Sequence, residues 1–200
     1  MADSTSHTVL AVALRARDGH LEVLLADGRL PEARVDVREP LESALARALD
    51  VAPLAHVEQL ETRMLRDGPL ATAYLGLAPT DARLDGDWQA EPKLPPDHAE
   101  LVASAPARLR AKLSYTNVGF ALAPATFTIS ELREIYVAAL GHDVSATNLQ
   151  RVLVRRGVLE RLEGHRTPGR AGGRPASLFR FKSRELEVTD EFAALRPPHR

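Results

Sequence analysis

Between Ser145 and Arg155 the chain carries Thr147, Asn148, Gln150, Arg151 and Arg155, while Leu149, Val152 and Leu153 recur at helical spacing. Hydroxyl, amide and guanidinium groups on the polar side of such a helix are the donors and acceptors that read base edges in a major groove. Further along, Arg166, Arg170 and Arg174 are interleaved with Gly164, Gly169, Gly172 and Gly173. Arginines on a glycine-rich loop neutralise phosphates or enter a minor groove. These eight residues, Thr147 to Arg174, are the expected DNA contacts, and double-stranded DNA is the expected partner. The competing reading is a solvated basic surface, or a helical pair and hairpin used for protein contacts.

The elements that must position them are legible nearby. Thr128-Ile129-Ser130-Glu131 fits a capping box, followed by an apolar stripe of Leu132, Ile135, Tyr136, Ala139 and Leu140, and closed by Gly141. Ser145 is a good cap for a second helix that stops at Gly157. Two such helices across a short turn make a helix-turn-helix candidate. Val158–Leu162 and Ser177–Phe181 then read as strands around the glycine–arginine tip, which is the layout of a winged helix. Ala121-Leu122-Ala123-Pro124 reads as a short hinge before this segment.

Charge divides at the same place. The formal total is −1, yet residues 1–124 hold 13 basic and 18 acidic side chains, while 125–184 hold 11 basic and 5 acidic ones. Such asymmetry points to a polyanion partner for the basic part.

The N-terminal half reads as strands, a helix, strands and a terminal helix. Thr8–Arg17 and Leu21–Leu25 flank Asp18-Gly19, and Val57–Leu65 and Leu70–Leu77 flank Arg66–Pro69, each a hairpin pattern. Between them Leu41, Ala44, Leu45, Ala48 and Leu49 form one apolar helical face, limited by Pro53. Residues 80–97 read as loop, with Trp88 a core or rim residue. A helix from Asp97 to about Asn117 is interrupted or restarted at Pro106. The expectation is a small mixed α/β domain.

Several chemistries are excluded. The chain has no cysteine, so disulfides, thiolate zinc sites and cysteine nucleophiles are absent. Its seven histidines show no paired metal spacing, so neither a metal site nor a cofactor nor a catalytic residue is expected. No apolar run approaches the roughly 18–20 residues of a membrane span. The first seven residues are polar and lack a signal peptide's basic start and apolar stretch, so no membrane association and a cytoplasmic location are expected.

The chain resembles the Nudix-related transcriptional regulators of NAD metabolism, the NrtR type. The resemblance is carried by Arg108–Asn117, Phe127–Arg133, Asn148–Arg151, Gly157–Glu160 and Gly173–Phe181. It implies an α/β (α+β) Nudix-like domain followed by a winged helix-turn-helix domain, a homodimer on a palindromic operator, and a repressor of NAD-related or nucleotide and sugar genes. It also implies ADP-ribose or a related nucleotide as a small-molecule effector. On this reading residues 8–118 form the effector-sensing domain, 125–182 the DNA-binding domain and 183–200 a tail.

A Nudix hydrolase carries G-x5-E-x7-R-E-U-x-E-E-x-G-U, whose glutamates hold divalent cations. The best register here places Ala33 at the first Gly, Glu39 at the first Glu and Arg47 at the Arg. Ala48, Val51 and Ala52 then fall at the glutamate positions and Leu54 at the late Gly. Ala and Val supply no oxygen ligand, and Asp50 is a single shifted carboxylate. The domain is therefore expected to be no enzyme, with Arg34, Glu39 and Arg47 in the same segment as candidate effector-binding residues. The alternative is a nucleotide pyrophosphatase acting on ADP-ribose or NADH, with an accessory domain.

Overall fold

The computed structural model describes residues 6–49, 54–66, 68–82, 86–166 and 175–190. Contacts cluster into two compact units, one of residues 1–15, 21–78 and 82–108, the other of 16–20, 79–81 and 109–200.

The first unit is built on a mixed sheet. Strands β1 (His7–Arg17), β2 (His20–Leu25), β3 (Glu32–Arg34), β4 (His56–Met64), β5 (Leu70–Ala78) and β6 (Asp87–Gln89) take the order β4-β5-β1-β2-β6, with β3 also on β1. β1 and β5 run parallel, with Val9 opposite Thr72 and Ala11 opposite Tyr74. Both are buried along most of their length, because they lie at the centre of the sheet. The β1–β2 hairpin turns at Asp18 (φ 49°) and Gly19 (φ 79°), the two left-handed residues that an Asp-Gly turn requires. Helix α1 (Leu41–Leu49) lays Ala44 and Leu45 against Val9, Ala11 and Tyr74.

Two expectations are corrected here. The segment 80–97 is not loop throughout: β6 pairs antiparallel with β2, Trp88 opposite Leu24. Helix α2 (Pro96–Tyr115) passes through Pro106 without a break. Proline removes one backbone donor, but Leu101, Ala105, Leu109 and Leu113 form a buried row at every fourth residue along the helix. Burial of that row outweighs the local preference. Within the first unit α2 is tied to β4: Arg108 donates to the Leu60 carbonyl at 3.0 Å, and Arg63 and Arg66 both engage the Glu100 carboxylate.

His98, on α2, is 1% exposed and its Nδ1 accepts from the Leu30 amide at 3.1 Å. The proton of the neutral ring therefore lies on Nε2, which faces Glu32 Oε2 at 3.7 Å. Burial, then the neighbouring Arg29 guanidinium, hold its pKa below 6.5. Above about pH 6.5 both folded and unfolded rings are neutral, and stability is insensitive to this group. Below it the unfolded chain takes up a proton that the folded ring refuses, so stability falls until the folded pKa is passed. The melting temperature is expected to decline between pH 7 and pH 5, with a shallower decline in His98→Gln; parallel curves would refute the assignment.

The second unit is a three-helix and hairpin assembly. A 3-10 turn, Val118–Ala121, is wholly buried, as are Leu122 and Ala123. The expected hinge is thus part of the core. The residues of the turn and of Leu122–Ala123 are apolar or glycine, and Gly119 of the turn lies directly under the Tyr136 ring. Helix α3 (Ile129–Leu140) has the complete capping box between Thr128 and Glu131, and ends at Gly141 with φ 73°. Helix α4 (Ala146–Arg155) is capped by Ser145. Arg133 of α3 braces the turn between them, donating to the Val144 carbonyl at 2.8 Å. Strands β7 (Leu159–Arg166) and β8 (Ala176–Phe181) pair antiparallel, and Phe127 bridges to Phe179. Phe127, Leu132, Leu153, Phe179 and Phe181 fill the core.

Residues 183–190 form a strap over the end of α2 within this unit. Asn117 donates to the Glu185 carbonyl at 2.9 Å and accepts from the Glu187 amide at 2.7 Å. The Thr189 amide donates to the Tyr115 carbonyl at 2.8 Å.

Candidate nucleic-acid interface and effector region

Helix α4 buries Leu149 and Leu153 and exposes Thr147, Asn148, Gln150, Arg151, Val154 and Arg155. At about 100° of turn per residue, Thr147, Arg151, Val154 and Arg155 fall at the centre of the exposed face, and Asn148 and Gln150 on its two flanks. Arg151 donates to Asn148 Oδ1 at 2.8 Å, which orients the guanidinium and leaves the Asn148 amide N–H groups available to donate. Both side chains are thereby oriented before any ligand arrives, which lowers the ordering cost of binding. Val154 is 51% exposed and was missed in the sequence reading, because an apolar residue at helical spacing reads as core. On this face it offers an apolar contact of the kind a thymine methyl accepts.

Arg156 anchors the other end of the helix. Its guanidinium donates to the Leu113 carbonyl at 3.2 Å and to the Ser114 carbonyl, and lies 3.9 Å from Asp190. The carbonyls at the end of α2 are thus capped by a cation from the end of α4, where the helix dipole favours positive charge.

The expected wing arginines are placed unequally. Arg166 lies on β7 and pairs with Glu131, the capping carboxylate of α3. Arg170 and Arg174 lie outside the described residues. On the hairpin the faces alternate. Glu160 and Arg180 are cross-strand neighbours and pair at 2.8 Å, whereas Arg161 stands opposite Phe179 and donates to Ser177 Oγ at 2.9 Å.

In the first unit, Glu39 and Arg47 form a bidentate pair at 3.0 and 2.7 Å, and Arg47 also donates to the Arg34 carbonyl at 2.8 Å. The Asp36 amide donates to Glu39 at 2.9 Å. The Arg47 hydrogen bond, then the Asp36 amide, hold the Glu39 carboxyl below the usual carboxylate range. This clamp fixes the loop before α1, whose Arg38 is left-handed at φ 66°. It brings Glu39, Arg47 and the backbone of Arg34 together; the Arg34 side chain is exposed. Ala33 lies on β3, and Ala48 is half-buried against the core under α1. Asp50, Val51 and Ala52 lie outside the described residues. Among the described residues no group of three His, Asp or Glu side chains is placed to hold a metal ion, and no helix is long and apolar enough to cross a membrane.

These two units define a class: a Nudix-type domain joined to a winged helix of the kind that DNA-binding regulators carry. Residues 119–181 match the family model of the NrtR DNA-binding winged helix domain. Over 91 residues the chain is 36% identical to the ADPR responsive transcriptional repressor NtrR of Acinetobacter baylyi, covering 46% of this chain and 35% of that protein. The match thus spans about a third of the length of that relative. Shewanella oneidensis NrtR, solved as a complex with a 27mer DNA, superposes with a TM-score of 0.72 at 27% identity, over 88% of this chain and 93% of that one. A MutT/nudix family protein from Enterococcus faecalis shares the fold, with a TM-score of 0.67 at 19% identity, over 92% and 90% of the two chains. The expected architecture, a Nudix-like domain followed by a winged helix of the NrtR type, is the observed one.

Proposed function

We propose that this chain is a transcriptional repressor that binds operator DNA through α4 and the β7–β8 wing and releases it on binding ADP-ribose or a related nucleotide. The observation that carries the reading is the exposed face of α4. It presents the Asn148–Arg151 pair beside Thr147 and Arg155, within a segment matched by a DNA-binding winged helix model. The relative in Acinetobacter baylyi is ADPR responsive, which supports the choice of effector. Thr147, Arg151 and Arg155 contact the major groove, and Arg170 and Arg174 supply charge from the wing, whereas Arg166 is engaged by Glu131. Residues 8–118 sense the effector and 125–182 bind DNA, and the expected tail from residue 183 begins with the strap 183–190 fastened to Tyr115 and Asn117. The active species is a cytoplasmic homodimer on a two-fold operator, which matches one half-site to each wing.

The Nudix-type domain is read as a sensor without hydrolytic activity. Its retained Glu39 is held by Arg47, and in the register of the Nudix motif Ala48 falls at the glutamate that follows the Arg. A cation there would lack the carboxylates it needs. A ligand changes DNA affinity only by favouring one arrangement over another. ADP-ribose at saturation is therefore expected to weaken operator binding by about 10-fold or more. Arg34→Ala should keep DNA binding but blunt this release, because an exposed guanidinium beside the Glu39–Arg47 pair suits a diphosphate. Anisotropy titrations of a labelled upstream duplex, with and without ADP-ribose, measure both; unchanged affinity at saturating nucleotide would refute the effector. Chromatography of ADP-ribose incubated with protein and Mg²⁺ should return it intact.

A further inference from the structure

We infer that the cleft between the wing and the flank of α4 seats one phosphodiester of the DNA backbone, and that Gln150 serves this contact and does not read a base. The inference rests on the DNA-binding reading and deepens it. The cleft has a volume of about 250 Å³ and is lined by Thr128, Ser130, Gln150, Arg161, Ser177 and Phe179 among others. Its lining thus offers a guanidinium, a carboxamide and the hydroxyls of Ser130 and Ser177, the donor set that a phosphate oxygen accepts from.

The charge arithmetic of the hairpin favours an anion there. Register places Leu159, Arg161, Ser177, Phe179 and Phe181 on one face, so Arg161 stands where the apolar face gives out. Among the described residues it donates to a neutral hydroxyl, Ser177 Oγ, and makes no ion pair, and its guanidinium lines the cleft. Of the three acids on the hairpin and the α3 cap, Glu163 on β7 is exposed to solvent and the other two are engaged. Glu160 pairs with Arg180 on the opposite face, and Glu131 accepts from Arg166 and from the Thr128 amide. A single cation among hydroxyls and an amide matches one singly charged diester.

The cleft also divides labour on α4. Gln150 leaves the helix on the wing side, about 100° from Arg151, while Thr147, Arg151 and Val154 hold the centre. A residue seated against the wing meets the strand backbone that borders the groove, whereas the central residues meet its floor.

The test uses the full chain and two duplexes, one from DNA upstream of its own gene and one scrambled. Arg161→Ala is expected to weaken both by a similar factor, about 3- to 10-fold, and to lower the slope of log K against log salt by about one. Gln150→Ala should likewise weaken both without changing their ratio. Arg161→Lys should restore the slope, and Arg180→Ala should match the parent chain. An unchanged slope for Arg161→Ala overturns the proposal, as does a loss confined to the upstream duplex. A loss in Arg161→Lys equal to that in Arg161→Ala also overturns it, in favour of a structural role for the Ser177 bond. Failure of the parent chain to bind either duplex would instead remove the DNA-binding reading, and this inference with it.

Discussion

The variant Arg151→Glu is expected to bind its operator at least about 100-fold more weakly than the parent chain, with an unchanged melting temperature. Arg151 is exposed at the centre of the α4 face, and it donates to the equally exposed Asn148. No core contact is lost on substitution, so stability should hold. Affinity loses two separate contributions. One is a guanidinium contact to a base edge, worth about 1–3 kcal/mol of discrimination. The other is the attraction of a cation to the phosphates, which becomes repulsion. The second contribution is screened by salt, so the gap between parent and variant should narrow as ionic strength rises. Anisotropy titrations at two salt concentrations, paired with a thermal melt, check both halves. Equal affinities would remove α4 from the interface. A drop in melting temperature would show that Arg151 supports the fold instead.

The second large effect is expected in the core of the same unit. A β-carbon on Gly119 would stand 2.5 Å from the Tyr136 hydroxyl and 3.0 Å from its ring. The neighbour cannot swing aside, because Tyr136 is itself buried. Gly119→Ala should therefore cost about 1–3 kcal/mol, as overpacking does. The hydroxyl is also buried with no hydrogen-bond partner among the described residues, and burial pushes its pKa far above the usual 10. Removing an unpartnered buried polar group relieves a desolvation cost, so Tyr136→Phe should raise stability by about 1 kcal/mol. The pair Gly119→Ala with Tyr136→Phe should then recover much of the loss, since the clashing oxygen is gone. Chemical denaturation of the four chains gives the coupling; strict additivity, within about 0.5 kcal/mol, would show that the two residues do not meet.

What the sequence disclosed was local. The Thr128–Glu131 box, the Gly141 cap and the Asp18-Gly19 turn are contained within a few residues, and each forms as its spacing predicts. The α4 polar set was legible for the same reason, since helical periodicity alone sorts Leu149 and Leu153 from Thr147 and Arg151. What escaped depends on residues far apart in the chain. Arg161 reads as one charge among several on a strand, and its place beside Gln150 and Ser177 exists only after the hairpin docks on α3 and α4. Pro106 was read by its own preference, whereas the buried row from Leu101 to Leu113 decides the outcome. Ala121–Pro124 looked like a linker because it separates two charge regimes, but a shift in surface charge says nothing about burial. Arg166 was read by its charge, and its pairing with Glu131 joins positions 35 residues apart.

The strap of residues 183–190 bears on the order in which the molecule is made. Its bonds to Asn117 link positions 68 and 70 apart in sequence. Asp190 reaches the Arg156 guanidinium that caps α2. On a ribosome the two helices of the reading head therefore emerge well before the segment that fastens them. The N-terminal unit can collapse on local hairpins and early pairings, but the second unit must wait for residues 183–190, a non-local closure that slows folding. During synthesis the chain thus completes its N-terminal unit before its C-terminal one.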